Sequence, residues 1–289
     1  MNQTNRIIRP PFERRSKFLQ VTNGCSHNKC TFCNYYKNTP HNIRTIEEIK
    51  KDIIKLKQEK YVFRRLWLQS ADPFTSDTDY LIKIAEYVNK YLPFVESIGS
   101  YARVDNLADK TVEDLILLKR YGYNHIVFGL ETCDDNILCK VKKGYDSKEA
   151  LKQLTKISNS GIDYTLIYLS GLGGKNYGLS NAQKTAKIIN KLTPERIMIN
   201  TLTLLDNTPL YYDKTFKQAT EKEKLNETIK LIEELNIETF IDATHASNTI
   251  NFFGEIPKNK ENIIKNLKEI INNNTEEQLK QKNKRIKQV

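Results

Sequence analysis

Short β-branched or aromatic runs alternate with amphipathic helical stretches along most of the chain. Strands are predicted at Phe18 to Thr22, Arg65 to Leu68, Ser97 to Tyr101, His125 to Phe128, Tyr164 to Leu169, Ile197 to Leu202 and Glu238 to Ile241. Helices fill the gaps between them. In the first helix Ile46, Ile49, Ile53, Ile54 and Leu56 lie along one face, and Thr45 with Glu48 reads as a capping box. Thr111 with Asp114 opens another helix in the same way, and Gly161 marks the stop of a helix begun near Ser147.

Six or seven successive βα units predict an α/β fold of parallel strands joined by right-handed helical crossovers. A complete eight-unit barrel needs a further pair of elements. The count suits an open or partial barrel, with its functional loops at the carboxyl ends of the strands. The expected organisation is a basic N-terminal arm at 1–16, one barrel domain at 17–257 and a C-terminal helical extension at 258–289. That extension starts with a helix at about Lys260 to Ile271. Residues 272–289 are rich in Asn, Lys and Gln and read as frayed helix or a disordered polar tail.

The chain has 289 residues, 39% hydrophobic and 28% charged, which is enough apolar material to exclude disorder of the whole. No apolar run approaches the roughly 18 residues of a membrane span, and residues 1–17 lack the apolar stretch of a signal peptide. A cytoplasmic location without membrane association is the expectation. The net charge of +11 changes meaning once it is located. Arg6, Arg9, Arg14, Arg15 and Lys17 against Glu13 give +4 at one end; Lys280, Lys282, Lys284, Arg285 and Lys287 against Glu276 and Glu277 give +3 at the other. A nucleic-acid groove concentrates charge on the folded body, so solvated basic tails are the favoured reading and a nucleic-acid partner is not.

Three of the five cysteines fall within nine residues, in Asn23-Gly-Cys-Ser-His-Asn-Lys-Cys-Thr-Phe-Cys33, directly after the first predicted strand. Cys25, Cys30 and Cys33 on one short loop suit three corners of a [4Fe–4S] cubane whose fourth iron stays open for another ligand. Gly24 frees the backbone to wrap such a cluster. A [2Fe–2S] centre would need a fourth cysteine, for which only the distant Cys133 and Cys139 are present. A structural zinc could take the three cysteines with His27, although a second close pair of ligands is missing.

With these residues in view the chain resembles the radical S-adenosylmethionine (radical SAM) superfamily, whose three cysteines follow the first strand of a partial (βα)6 TIM-type barrel. An aromatic residue precedes the third cysteine in that family, and here it is Phe32. Ser97 to Arg103, Gly129-Leu-Glu-Thr132, Ser170-Gly-Leu-Gly-Gly174, Asn207-Thr-Pro-Leu-Tyr211 and His245-Ala-Ser-Asn248 extend the likeness from about Lys17 to Ile271. It looks closest to a branch with a GCS-N-CTFC motif, related to the coproporphyrinogen dehydrogenase and elongator-type proteins. Two departures stand out: Cys25 and Cys30 are separated by four residues instead of three, and Ser70-Ala-Asp72 replaces the usual Gly-Gly-Glu.

The resemblance implies a [4Fe–4S] cluster on Cys25, Cys30 and Cys33. SAM would chelate the open iron, and reductive cleavage would yield a 5′-deoxyadenosyl radical that takes hydrogen from a substrate, which stays open. A reductant such as flavodoxin or ferredoxin is implied as well. Phe32 would lie near the adenine, or serve as a core aromatic. Asp72 would meet the SAM ammonium, or cap the turn at Pro73. Arg103 would face the SAM carboxylate or ribose, or pair with Asp105. Glu131 would contact SAM, and Lys143 would stand where relatives carry an arginine at the SAM carboxylate, unless it is a solvated surface lysine. Gly171, with Gly173 and Gly174, would let backbone approach the adenine, or form a plain loop. His245 and Asn248 would reach the substrate, or cap a helix. Cys133 and Cys139 read as ordinary thiols and Trp67 as core. RNA modification, and a zinc- or iron–sulfur-stabilised binding protein without catalysis, are the alternatives.

Overall fold

The computed structural model describes residues 10–59 and 63–286. Residues 1–9 of the expected basic arm, and the last three of the tail, lie outside the described residues. In chain order the elements are β1 (Lys17–Gln20), β2 (Thr22–Asn23), β3 (Asn42–Ile43), α1 (Ile46–Lys57), β4 (Arg65–Gln69), α2 (Thr78–Tyr91), β5 (Ser97–Ala102), α3 (Val112–Arg120), β6 (Tyr123–Glu131), α4 (Asp135–Lys140) and α5 (Ser147–Ser160). They continue with β7 (Asp163–Ser170), α6 (Gly178–Ile189), β8 (Arg196–Thr201), α7 (Pro209–Tyr212), α8 (Glu221–Glu234), β9 (Thr239–Asp242), β10 (Phe253–Ile256), α9 (Lys260–Asn273) and α10 (Glu276–Ile286). Eight strands belong to one mostly parallel sheet, and the short β2 and β3 form a separate antiparallel pair. No helix among the described residues is long and apolar enough to cross a membrane.

Contacts divide the chain into two compact units, the first of residues 1–28, 35–129 and 152–164, the second of residues 29–34, 130–151 and 165–289. In the first unit β1, β4, β5 and β6 pair in parallel in that order, with Phe18 opposite Trp67 and Leu68 opposite Ser100. Trp67, Phe74, Tyr123 and Phe128 are fully buried there. Both capping boxes form: Thr45 Oγ1 accepts from Glu48 N, and Thr111 Oγ1 accepts from Asp114 N. On α1 the buried face is Ile49, Asp52, Ile53 and Leu56, whereas Ile54 lies out of register with it and is 36% exposed. Residues 10–16 are not a solvated arm. Glu13, buried, accepts from Arg65 through Nε and Nη2 and from the Ser16 hydroxyl, while Phe12 packs edge-on against His125. A buried carboxylate needs such partners, and Arg65 supplies a fixed two-pronged one at the start of β4.

In the second unit β7, β8 and β9 pair in parallel and β10 returns antiparallel to β9. The polar tail, read from its composition as frayed helix or disordered, carries a capped and docked helix. Thr275 and Gln278 cap α10 reciprocally, Leu279 is fully buried, and the Glu276 carboxylate accepts from the first amides of α8, Glu221 N at 2.8 Å and Lys222 N at 3.1 Å. One leucine and one well-placed carboxylate are enough to dock an otherwise polar helix, because α8's first turn has amides that need an acceptor. Glu276→Ala should therefore lower stability by about 1 kcal/mol, the size of a lost cap. Equilibrium urea unfolding would show this as a lower midpoint at unchanged slope.

Candidate functional site

In the first unit the chain leaves β1 and turns at Gly24, whose φ is +65°. A Cβ there would come within 2.6 Å of the Thr39 carbonyl oxygen and 2.8 Å of that of Pro40, so the turn admits only glycine. Just after this turn Ser26 meets Asp72, three residues beyond β4. The Asn28 amide donates to Cys25 Sγ at 3.5 Å, the kind of contact that steadies a thiolate. Asp72, fully buried, accepts from Ser26 N with both oxygens at 3.3 Å and from the Ser26 hydroxyl. Burial raises the Asp72 carboxyl above its ordinary value, against the pull of the Ser26 hydrogen bonds and of the His41 and Arg103 charges. Burial, then the Asp72 charge, pushes the Cys25 thiol up, while the Asn28 amide and Arg103 act the other way. Arg103 is buried; its Nη2 donates to Asp105 at 2.8 Å, and its backbone amide donates to Asn106 Oδ1. The structure thus brings Cys25, Asp72 and Arg103 together.

In the second unit, residues 29–34 are anchored by main chain. Thr31 N donates to the Val141 carbonyl at 3.0 Å, Leu210 N donates to the Thr31 carbonyl at 2.9 Å, and Asn34 bonds Asn207 through their side chains. Phe32 packs against a core of Ile137, Val141, Leu169, Leu172, Leu202, Leu210 and Phe216. Cys30 is buried and Cys33 half-buried, and none of the five cysteines is in a disulfide. Among the described residues no group of three or more His, Cys, Asp or Glu side chains is set to hold a metal ion.

Glu131 ends β6 with φ +67°, and Thr132 N donates back to the Leu130 carbonyl at 2.9 Å. That i to i+2 bond about a left-handed residue is a γ-turn of the rare, strained kind, costing roughly 1–3 kcal/mol for a residue with a side chain. Its carboxylate accepts from Lys143 Nζ at 3.2 Å; this lysine is 4% exposed and lies over the Tyr145 ring, so it is not a surface lysine. Gly171 has φ +82°, and its amide donates to Glu227 Oε2 at 2.8 Å. Gly173 and Gly174 have packing reasons of their own: a Cβ would stand 2.8 Å from Ile137 Cδ1 in one and 2.6 Å from the Lys217 carbonyl oxygen in the other.

Beyond β9, His245 Nδ1 accepts from Ser247 N at 3.1 Å, which leaves the ring proton on Nε2 in the neutral form. Burial lowers the His245 pKa and keeps the ring neutral near pH 7. Asn248 is engaged throughout: its amide donates to the Ile199 and Ala243 carbonyls, and its oxygen accepts from Thr201 Oγ1. Cys133 is buried with its thiol pushed far up, in keeping with an inert side chain, and Trp67 is core.

Two features escaped the sequence reading. Ser26 lay inside the cysteine motif, and its hydroxyl was the available signal. The buried Glu227, with Asn181 and Tyr168, had a fainter one: Lys224, Glu227 and Thr228 sit on the same stripe of α8 as the buried Leu231.

A mostly parallel sheet whose strands are joined by helices defines an α/β protein. Residues 19–178, more than half of the chain, match the family model described as the Radical SAM superfamily, and the chain belongs to that family. Its members use a [4Fe–4S] cluster and SAM. A protein of Methanocaldococcus jannaschii, itself described as uncharacterised, is 28% identical over 163 residues, covering 54% of this chain and 40% of that relative. Methylornithine synthase superposes with a TM-score of 0.54 at 17% identity, over 77% of this chain and 63% of that one. The coproporphyrinogen III oxidase HemN of Escherichia coli gives 0.54 at 13% identity, over 76% and 50%. These likenesses show the fold, the partial TIM barrel to which the βα count pointed. The chain spans less than two thirds of each of these proteins.

The Ser26–Asp72 contact carries a prediction. Asp72→Ala should speed amide exchange at residues 24–28 about tenfold, the worth of a charge-assisted hydrogen bond. Ser26→Ala should act in the same direction, and the double variant should fall short of the sum of the two. Hydrogen exchange on the metal-free protein measures all three.

Proposed function

We propose that this chain is a radical SAM enzyme in which Cys25, Cys30 and Cys33 hold the [4Fe–4S] cluster and Glu131, Lys143 and Arg103 bind SAM. The observation that supports it most is the cysteine loop itself: three cysteines, none in a disulfide, in a C-x4-C-x2-C segment after the first parallel strand, within a chain of this family. Thiolates are the donors such a cluster takes, and Gly24 with the Asn28 amide forms the bend that a cluster-wrapping loop needs. When bound and reduced, the cluster supplies the electron that cleaves SAM into methionine and a 5′-deoxyadenosyl radical.

The protein's own residues bind, orient and exclude water. Asp72 fixes Ser26 and so the backbone on either side of Cys25. The Arg103 guanidinium favours the Cys25 thiolate and offers a rigid fork to a carboxylate or ribose. Lys143 presents a buried positive charge to the methionine carboxylate, and Glu131, its present partner, accepts from hydroxyl or ammonium groups. The apolar wall about Phe32, Leu169 and Leu172 keeps water from a reactive radical. Neutral His245 offers its Nε2 proton to the substrate, a role proposed for it and not for Asn248, whose amide is committed to backbone. We place the reaction on a small-molecule substrate in the cytoplasm, with flavodoxin or ferredoxin as the electron source.

Anaerobic reconstitution with iron and sulfide should give roughly four irons per chain. Dithionite and SAM should then yield 5′-deoxyadenosine slowly without substrate, and Cys30→Ala should abolish both cluster and product. An intact four-iron cluster that never cleaves SAM would overturn the reading, as would one bound zinc with no iron.

A further inference from the structure

A buried polar network in the second unit ends on the two loops that carry Glu131 and Gly171. Its root is Glu227 on α8, 1% exposed. Glu227 Oε1 accepts from Tyr168 Oη at 2.7 Å and Asn181 Nδ2 at 2.8 Å, and Oε2 accepts from Gly171 N at 2.8 Å. Asn181 on α6 passes the connection on: its Oδ1 accepts from the Thr132 hydroxyl and from Thr185 Oγ1 at 3.3 Å. Thr132 Oγ1 in turn accepts from Asp134 N, and Thr185 Oγ1 from Cys133 N, each at 2.9 Å. Tyr168, Asn181, Thr132 and Thr185 are all fully buried.

The geometry explains two otherwise costly features. Glu131 keeps a left-handed backbone because the residues that follow it, Thr132 to Asp134, are bonded into the interior and leave the turn no other path. Glu227 keeps its place in the interior because neutral donors from β7, from the loop after it and from α6 converge on it. Removing one donor leaves a buried charge short of partners, so the network holds as a unit.

We propose that Glu227, acting through Asn181 and Thr132, is a positioning residue for SAM: it sets the γ-turn that aims the Glu131 carboxylate and the path of the loop at Gly171. This rests on the reading of Glu131 as a SAM contact. Neither Glu227 nor Asn181 touches the cofactor in this account; both act on the posture of residues that do. The effect therefore falls on affinity, because a turn free to relax offers its carboxylate in the bound orientation only part of the time.

Two variants test it. Thr132→Val keeps the shape and removes the hydroxyl that joins the turn to Asn181 and accepts from Asp134 N; Glu227→Gln keeps the volume and disturbs the root. In the metal-free protein Thr132→Val should raise amide exchange at residues 130–134 about tenfold, as expected for a lost buried hydrogen bond, with the rest of the chain unchanged. In the reconstituted protein both variants should keep wild-type iron content. SAM should bind about tenfold more weakly, while the rate of 5′-deoxyadenosine formation at saturating SAM stays within about twofold of wild type, the signature of lost binding and not of lost chemistry. Thr132→Ser, which restores the hydroxyl, should restore both readings. A folded Thr132→Val with wild-type exchange and wild-type SAM affinity overturns the proposal. A wild-type protein that loads iron yet binds no SAM overturns instead the functional reading, and with it the ligand named here.

Discussion

A carboxylate buried on a helix face, with neutral donors instead of a cation against it, constrains the second unit more than any other group. Moving a charge out of water costs several kcal/mol unless the lost hydration is replaced by hydrogen bonds of good geometry. Glu227 finds its replacements on β7, in the backbone after β7 and on α6. None of those elements can shift without leaving the charge short, so a helix that reads as an ordinary amphipathic crossover becomes the fixed point for two strand-end loops. Burial holds the carboxyl of Glu227 above its ordinary value, and the donors oppose that shift.

Three acids, Asp72 and Glu227 buried and Glu131 half-buried, divide by the kind of partner each has. Asp72 and Glu227 accept from main-chain amides and fixed neutral side chains. Such acids order the chain; exchanging their donors for those of a ligand would mean moving backbone. Glu131 is of the other kind, facing the Lys143 ammonium at 3.2 Å at the end of a strand. An ion pair between two side chains can open around a zwitterionic ligand, each charge taking up the opposite charge of the newcomer, without any change in the fold. The division explains why Glu131, and neither of the other two, is the carboxylate assigned to SAM. It also explains why Asp72 can be shorter than the glutamate common at its position: its contact is with Ser26, close by.

The fold was legible because it rests on patterns that operate locally. Capping at Thr45 and Thr111, the stop at Gly161 and the βα alternation each express a backbone requirement of a few residues. The cysteine loop was legible for the same reason, its chemistry being carried by three residue types at close spacing. What escaped depends on tertiary context. Ile54 looked like a member of α1's apolar face, yet three-dimensional packing prefers Asp52 beneath Arg44, which donates to it at 2.8 Å. Residues 272–289 lacked the apolar content of a docked helix, but Leu279 and Glu276 suffice because α8 offers its first amides. For Lys143 the sequence left a solvated surface lysine open beside a binding role, and only the strand end that receives it shows the side chain buried. Glu227 reads as one more charge on a helix rich in Glu and Lys, since no local rule tells a buried acid from a solvated one.

The glycines of Ser170–Gly174 have reasons inside the protein beside the one the sequence suggested. Glycines after a strand suggest close approach of a ligand, and the sequence places them where radical SAM relatives bring backbone to the adenine. In the structure the Gly171 amide is already committed to Glu227, and its positive φ is what turns that amide inward. Side chains on Gly173 and Gly174 would strike Ile137 and the Lys217 carbonyl within the protein itself. The glycine pattern is therefore accounted for by the protein's internal network before any ligand is invoked. The path of the loop is held by an acid more than fifty residues further along the chain.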